Sequence, residues 1–346
     1  VALRHGPIEL PFARQHHDAL RFLDAERENL LPVSRYAAEH GHDTIAWQLA
    51  YLLMGFFNSR GHWADMLQIC RCGLAAAQRQ GDRHVEALMR IQVGVASIQV
   101  RRYDEAIGEL RQALPLMRAA GDRWGEGIVH NNTAVALTKL RRYDEAIAEY
   151  ECALAVHTAR GVSVDVAFAL HSLGDAYTLS GRTDLALHHL GRAGEVARVV
   201  GDQRLHAAIA QATGAAHLRH GSYPVALELL SRALELHRKV GDRHRELDTL
   251  RDTVAALLGA DRVTAALDLG EQALRLSRQV ADPHGEAVAL KNLGLAHLRA
   301  GSFADAELHL RLALDLLLRT PDPLEETEVR RALGELAARR APPSRS

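Results

Sequence analysis

The chain has 346 residues, 47% hydrophobic and 25% charged, with 42 basic against 43 acidic side chains. That near-neutral balance excludes a dedicated nucleic-acid surface or a polybasic membrane patch. Three cysteines (Cys70, Cys72, Cys152) exclude a disulfide framework and fit a reducing cytosol. The longest uncharged apolar stretch, around 50–57, is too short to span a bilayer, and no signal peptide is expected from the opening residues. Valine at position 1 is the start expected of a piece of a longer protein. Lysine occurs only at Lys139, Lys239 and Lys291, so arginine supplies nearly all the cations, as GC-rich coding does.

Residues 1–40 are expected to form an N-terminal helical cap or junction, and from 41 onward a 40-residue period takes over. Gly-Asp recurs at 81–82, 121–122, 201–202 and 241–242, and Gly41, Gly161, Ala281-Asp282 and Pro321-Asp322 keep the same grid. Mid-unit markers are Tyr103, Tyr143, Thr183, Tyr223, Val263 and Phe303. Alanine fills all six units at Ala106, Ala146, Ala186, Ala226, Ala266 and Ala306, and again at Ala113, Ala153, Ala193, Ala233, Ala273 and Ala313.

Each unit reads as two helices. Tyr143, Ala146, Ile147, Tyr150, Ala153 and Leu154 form one apolar stripe at helical spacing, which predicts that the alanine columns are buried. The preceding half-unit carries a small residue at Gly94, Ala134, Gly174, Gly214 and Gly294. Glycine inside a helix costs about 1 kcal/mol against alanine, so its recurrence asks for close approach of the paired helix. The junction glycines suit left-handed helix ends and the aspartates after them suit N-caps. Residues 41–80 form a degenerate unit, 81–320 six units, 321–340 a C-terminal capping helix, and 341–346 a disordered tail.

These columns resemble tetratricopeptide repeats: Leu173-Gly174 and Leu293-Gly294, then Ala306, Leu310 and Ala313. The units depart from the common pattern in their length, in lacking the closing proline, and in lacking the early tryptophan. The resemblance implies an all-α fold, a right-handed α-α superhelix of 40-residue helix pairs. Residues 22–31, with Ala46-Trp47-Gln48-Leu49-Ala50 and Arg60-Gly61-His62-Trp63, are similar to the junction between a nucleotide-binding STAND (NB-ARC-type) module and its repeats. The larger Streptomyces antibiotic regulatory proteins are the members that this segment resembles.

Enzyme chemistry is not expected. There is no Gly-Lys dipeptide for a Walker A loop, no His-Glu-x-x-His and no Gly-x-Ser-x-Gly. The 20 histidines, His217 and His220 or His188 and His189 included, lack a closed ligand set for a metal, and no cofactor is expected.

In the family resembled, the first helix of each pair lines a concave groove. That implies partner-binding roles for Asn131, Asn132, His171, Asp175, Gln211, Arg219, Arg251, Lys291, Asn292 and Arg299. Asn132 and Asn292 match a column that holds extended peptide backbone, and the cations toward the C-terminal end imply an acidic or carboxylate-bearing segment. The implied function is a non-enzymatic, cytoplasmic, ligand- or partner-sensing region of a bacterial transcriptional regulator. Its partner is a protein or peptide segment or a small effector, with no direct nucleic acid or membrane contact and with room for homo-oligomers. The alternative is a free-standing adaptor or oligomerisation scaffold.

Overall fold

The computed structural model describes residues 16–161, 163–320 and 322–340, and the chain divides into two compact units, Val1–Gly161 and Val162–Ser346. The expected tail, 341–346, and the first fifteen residues of the expected N-terminal cap lie outside the described residues. All regular structure among the described residues is helical. The first unit holds α1 (His16–Ala25), α2 (Arg27–Glu39), α3 (Asp43–Arg60), α4 (Trp63–Gln80), α5 (Arg83–Gln99), α6 (Tyr103–Ala119), α7 (Arg123–Lys139) and α8 (Tyr143–Thr158). The second holds α9 (Val164–Leu179), α10 (Thr183–Val200), α11 (Gln203–Arg219), α12 (Tyr223–Val240), α13 (Arg243–Gly259), α14 (Val263–Gln279), α15 (Pro283–Ala300), α16 (Phe303–Arg319) and α17 (Pro323–Arg340). From α3 onward these are the helix pairs of the 40-residue grid.

Within each unit every helix packs on its successor, so the chain builds antiparallel hairpins stacked side by side, an α-solenoid. First helices also touch one another: α3 with α5 and α5 with α7, then α9, α11, α13, α15 and α17 in sequence. First helices that approach one another this closely line the inner face of each unit.

The local signals act as the sequence implies. Asp82 accepts hydrogen bonds from the backbone N–H groups of His84 and Val85, Asp202 from Arg204 and Leu205, and Asp282 from Gly285. At the junction after α8 the grid aspartate is replaced by valine, and Ser163 caps α9 by accepting from the Val166 N–H. Gly121 and Gly201 take the left-handed conformation that ends a helix. The turns inside pairs reach the same conformation without glycine at Arg101, Arg141 and Asp261. All twelve column alanines are buried, none more than 1% exposed.

The small-residue column has the packing reason expected of it. A Cβ added at Gly174 would stand 2.5 Å from Leu190 Cγ, at Gly214 2.8 Å from Leu230 Cγ, and at Gly294 2.6 Å from Leu310 Cγ. Only a bare backbone lets the leucine of the second helix reach that depth.

One recurring device is a carboxylate held between two arginines at a junction. Glu126, only 5% exposed at its side chain, accepts from Arg118 Nε (2.7 Å) at the end of α6 and Arg123 Nη1 (2.9 Å) on its own helix. Glu246 is held likewise by Arg238 at 2.9 Å, and Glu286 by Arg278 at 2.7 Å, so each clamp ties one helix pair to the next. Burial alone would push the Glu126 carboxyl up, but the Arg118 and Arg123 hydrogen bonds outweigh it and hold the group below the usual range; Glu86 behaves the same way through Arg90 and Arg83.

A carboxyl whose pKa is lower folded than unfolded adds stability above its unfolded pKa, and that stability disappears as pH falls through the folded one. Urea midpoints should therefore drop more steeply below about pH 4.5 in the wild type than in Glu126→Gln. The variant should start about 1–2 kcal/mol lower at neutral pH. Parallel pH profiles for the two proteins would show that the clamp adds nothing.

Candidate partner-binding cleft

Three first helices of the second unit, α9, α11 and α13, frame a cleft of about 260 Å³. Helical spacing puts its lining on matching stripes. His171, Asp175 and Thr178 lie along α9, Gln211 and Arg219 along α11, and Arg245 and Asp252 along α13. Ala208, Ala212 and Ala215 on α11 leave the space that larger side chains would fill.

The interior is acidic. Gln211, 8% exposed, donates from Nε2 to Asp252 Oδ2 at 3.3 Å, while its own Oε1 is buried without a hydrogen-bond partner. His171 Nε2 lies 3.7 Å from Asp175 Oδ2. Burial pushes the Asp252 carboxyl up to about 6, with Asp248 and Asp175 adding to the rise and the Gln211 amide and Arg251 opposing it. Arg219 and Arg245 are exposed and have no ion-pair partner among the described residues.

Four of the ten residues singled out from the sequence, His171, Asp175, Gln211 and Arg219, thus meet in one cleft. The others do not join them. Asn131 and Asn132 belong to the first unit, half-buried on α7, and Asn132 Nδ2 donates to the Ile128 carbonyl at 3.0 Å. Asn292 is buried, only 6% exposed. Three of the four cations expected to converge on an acidic segment are engaged inside the chain. Arg251 pairs with Asp248 at 3.0 Å, and Lys291 contacts Glu325 at 2.6 Å and Glu328 at 2.7 Å, both on α17. Arg299 donates to the Leu258 carbonyl. Arg219 alone of the four faces the cleft.

Arg245 and Thr178 line the cleft without having been anticipated from the sequence. Thr178 sits seven residues after His171, and Arg245 seven before Asp252, so extending each helical stripe by two turns finds both. Glu149 on α8 accepts from His130 Nδ1 on α7 at 2.6 Å. Among the described residues no group of three or more His, Cys, Asp or Glu side chains is arranged to hold a metal ion, and no helix is long and apolar enough to cross a membrane.

A family model described as "Tetratricopeptide repeat" matches residues 125–198, 165–239 and 251–319, together more than half of the chain. No curated protein sequence matches significantly. Solved structures do. The apo form of RapI aligns with a TM-score of 0.61 at 13% identity, covering 84% of this chain and 99% of that one. A Rap protein complexed with competence and sporulation factor aligns at 0.58 and 12% identity, covering 91% and 98%. A signal transduction ATPase with numerous domains (STAND) and a tetratricopeptide repeat sensor, from Pyrococcus horikoshii, aligns at 0.58 and 14% identity. That alignment covers 93% of this chain and 52% of the STAND protein, so the chain spans about half its length. At these identities the likeness is one of fold.

Proposed function

The chain belongs to the tetratricopeptide-repeat family, and from that premise we propose that it is the partner-sensing region of a bacterial transcriptional regulator of the STAND, antibiotic-regulatory type. The observation that carries this reading is the cleft of the second unit, where His171, Asp175, Gln211 and Arg219 converge beside Asp252. A protein or peptide segment, or a small effector, enters there. Arg251, Lys291, Asn292 and Arg299 occupy the corresponding positions of α13 and α15 in the second unit, and Asn131 and Asn132 those of α7 in the first. Two likenesses support the choice. One solved relative is a STAND protein whose repeats are named a sensor, and another is a Rap protein in complex with a factor. Residues 22–31, 46–50 and 60–63 support the regulator type through their resemblance to the junction with a nucleotide-binding module.

On this reading the region is non-enzymatic and cytoplasmic, and DNA binding and ATP hydrolysis belong to other parts of the regulator. Occupation of the cleft rotates α9, α11 and α13 slightly against one another. It shifts an attached switch to the extent that the ligand binds one curvature better than another.

Filling the cleft tests the proposal. Chromosomal Ala215→Trp should alter the transcript profile of the source organism as deletion of the second unit does. Val199→Trp, at a position 78% exposed on α10, should leave the profile unchanged. A wild-type profile in the Ala215→Trp strain would turn the assignment toward a free-standing adaptor or oligomerisation scaffold.

A further inference from the structure

The cleft is better suited to one charge type than the sequence implied. Its lining carries acceptors: the Asp252 and Asp175 carboxylates, and Gln211, whose Oε1 is buried in the wall with no partner of its own. Gln211 has already turned its amide toward Asp252. Only a donor from outside can therefore satisfy its oxygen. The charges nearby offset this only in part. Arg251 pairs with Asp248 through Nη2, leaves its Nε buried without a partner and favours ionised Asp252, while Lys291 is committed to α17. Arg219 and Arg245 stand exposed, where water and salt screen them.

We infer that the cleft takes up the guanidinium or ammonium group of an arginine or lysine side chain on a partner protein segment, held by Asp252, Asp175 and Gln211 Oε1. A guanidinium brings five N–H donors in a planar fork and an ammonium three, enough to serve all three acceptors at once. The incoming cation also stabilises the ionised form of Asp252, which burial alone disfavours. The rim arginines repel a polycationic chain, so the segment that fits carries a single cation in neutral or acidic surroundings. This inference rests on the partner-binding reading above and deepens it.

The test is calorimetric titration of the full chain with end-blocked alanine-serine peptides that differ at one central residue: arginine, lysine, citrulline or glutamate. Arginine or lysine should bind at least about tenfold more tightly than citrulline, its neutral isostere, or glutamate. Asp252→Asn should erase that preference. Asp175→Asn, at a side chain 45% exposed and so safe for folding, should reduce it, and Ala215→Trp should abolish binding of all four peptides. Equal binding of arginine and citrulline peptides, or preference for glutamate, overturns the inference while leaving a partner-binding cleft in place. Agmatine, a free guanidinium compound, binding as tightly as the arginine peptide would reassign the cleft to small cations and overturn the protein-segment assignment. No binding by any probe overturns this inference and the partner-binding reading together.

Discussion

Replacing Lys291 by glutamate should release α17 from the end of its unit and cost about 3–5 kcal/mol. Lys291 is 9% exposed at its side chain and sits between Glu325 Oε2 at 2.6 Å and Glu328 Oε2 at 2.7 Å. Only the Glu328 contact is aligned as a hydrogen bond, so the attraction to Glu325 is ionic. Reversal at this point sets a third carboxylate, on a nearly buried side chain, against Glu325 and Glu328 with no cation between them. The apolar contact that remains, through buried Val329, Ala332 and Leu336, is that of one helix packed on α15 and α16. A helix held on one side only detaches before the rest of the array unfolds. Amide exchange across 323–340 should accelerate strongly while that of α11 and α13 stays slow. Lys291→Met should cost less, because Glu325 and Glu328 are 19% and 39% exposed and can turn toward water. The paired reversal Lys291→Glu with Glu328→Lys should restore most of the loss. Unchanged exchange across 323–340 in the single reversal would mean that the ion pairs contribute nothing to docking α17.

That expectation differs from the one the sequence alone supports, and the difference has a physical source. Periodicity reports which face of a helix a residue occupies, and in this respect the chain is transparent. The alanine columns, the capping aspartates and the close approach at Gly174, Gly214 and Gly294 follow from spacing and steric volume, which are local quantities. The inner-face column containing His171, Gln211, Arg251 and Lys291 was legible in the same way. Whether a charged residue on that face is available to a partner depends on what stands opposite it, some 35 to 40 residues away in this fold. Lys291 finds Glu325 and Glu328 there, and Arg299 finds a backbone carbonyl. Nothing in the period of α15 records the side chains of α17.

The cleft illustrates the same division. His171 and Gln211 stand out as polar residues in a column that varies, so the position was readable. Its acidic character was not, because Arg219, Arg251, Lys291 and Arg299 outnumber Asp175, Asp248 and Asp252 in a count along the inner faces. Pairing changes that count: Arg251 is neutralised by Asp248, and burial sets Asp252 apart from an ordinary surface carboxylate. The junction clamps were half legible. The Gly-Asp pattern announced a helix boundary, but the arginine eight residues before Glu126 or Glu246 lies on the preceding helix, and only the stacked geometry joins them.

The helix crossings themselves should obey an exchange rule that a double-mutant cycle can measure. In most pairs the first helix supplies the small residue and the second the large one: Gly174 with Leu190, Gly214 with Leu230, Gly294 with Leu310. In the pair formed by α13 and α14 the same two positions hold Val254, 1% exposed, and Gly270, and a Cβ added at Gly270 would stand 2.8 Å from Leu293 Cδ2 on α15. Gly214→Val should overpack against Leu230, since its Cβ alone falls 2.8 Å from Cγ, the branch point of the side chain rather than its movable end. The cost expected is about 1–3 kcal/mol. Leu230→Ala should leave a cavity and cost about 2–5 kcal/mol. If the crossing needs only a constant combined volume, the valine of the double variant fills part of the space that Leu230 vacates. It should then be more stable than the sum of the single losses implies by on the order of 1–3 kcal/mol, the range of coupling between residues in contact. Urea unfolding of the four proteins closes the cycle. Simple additivity would mean that α11 and α12 relax independently around each change, and that the glycine column reflects something other than the depth of the facing leucine.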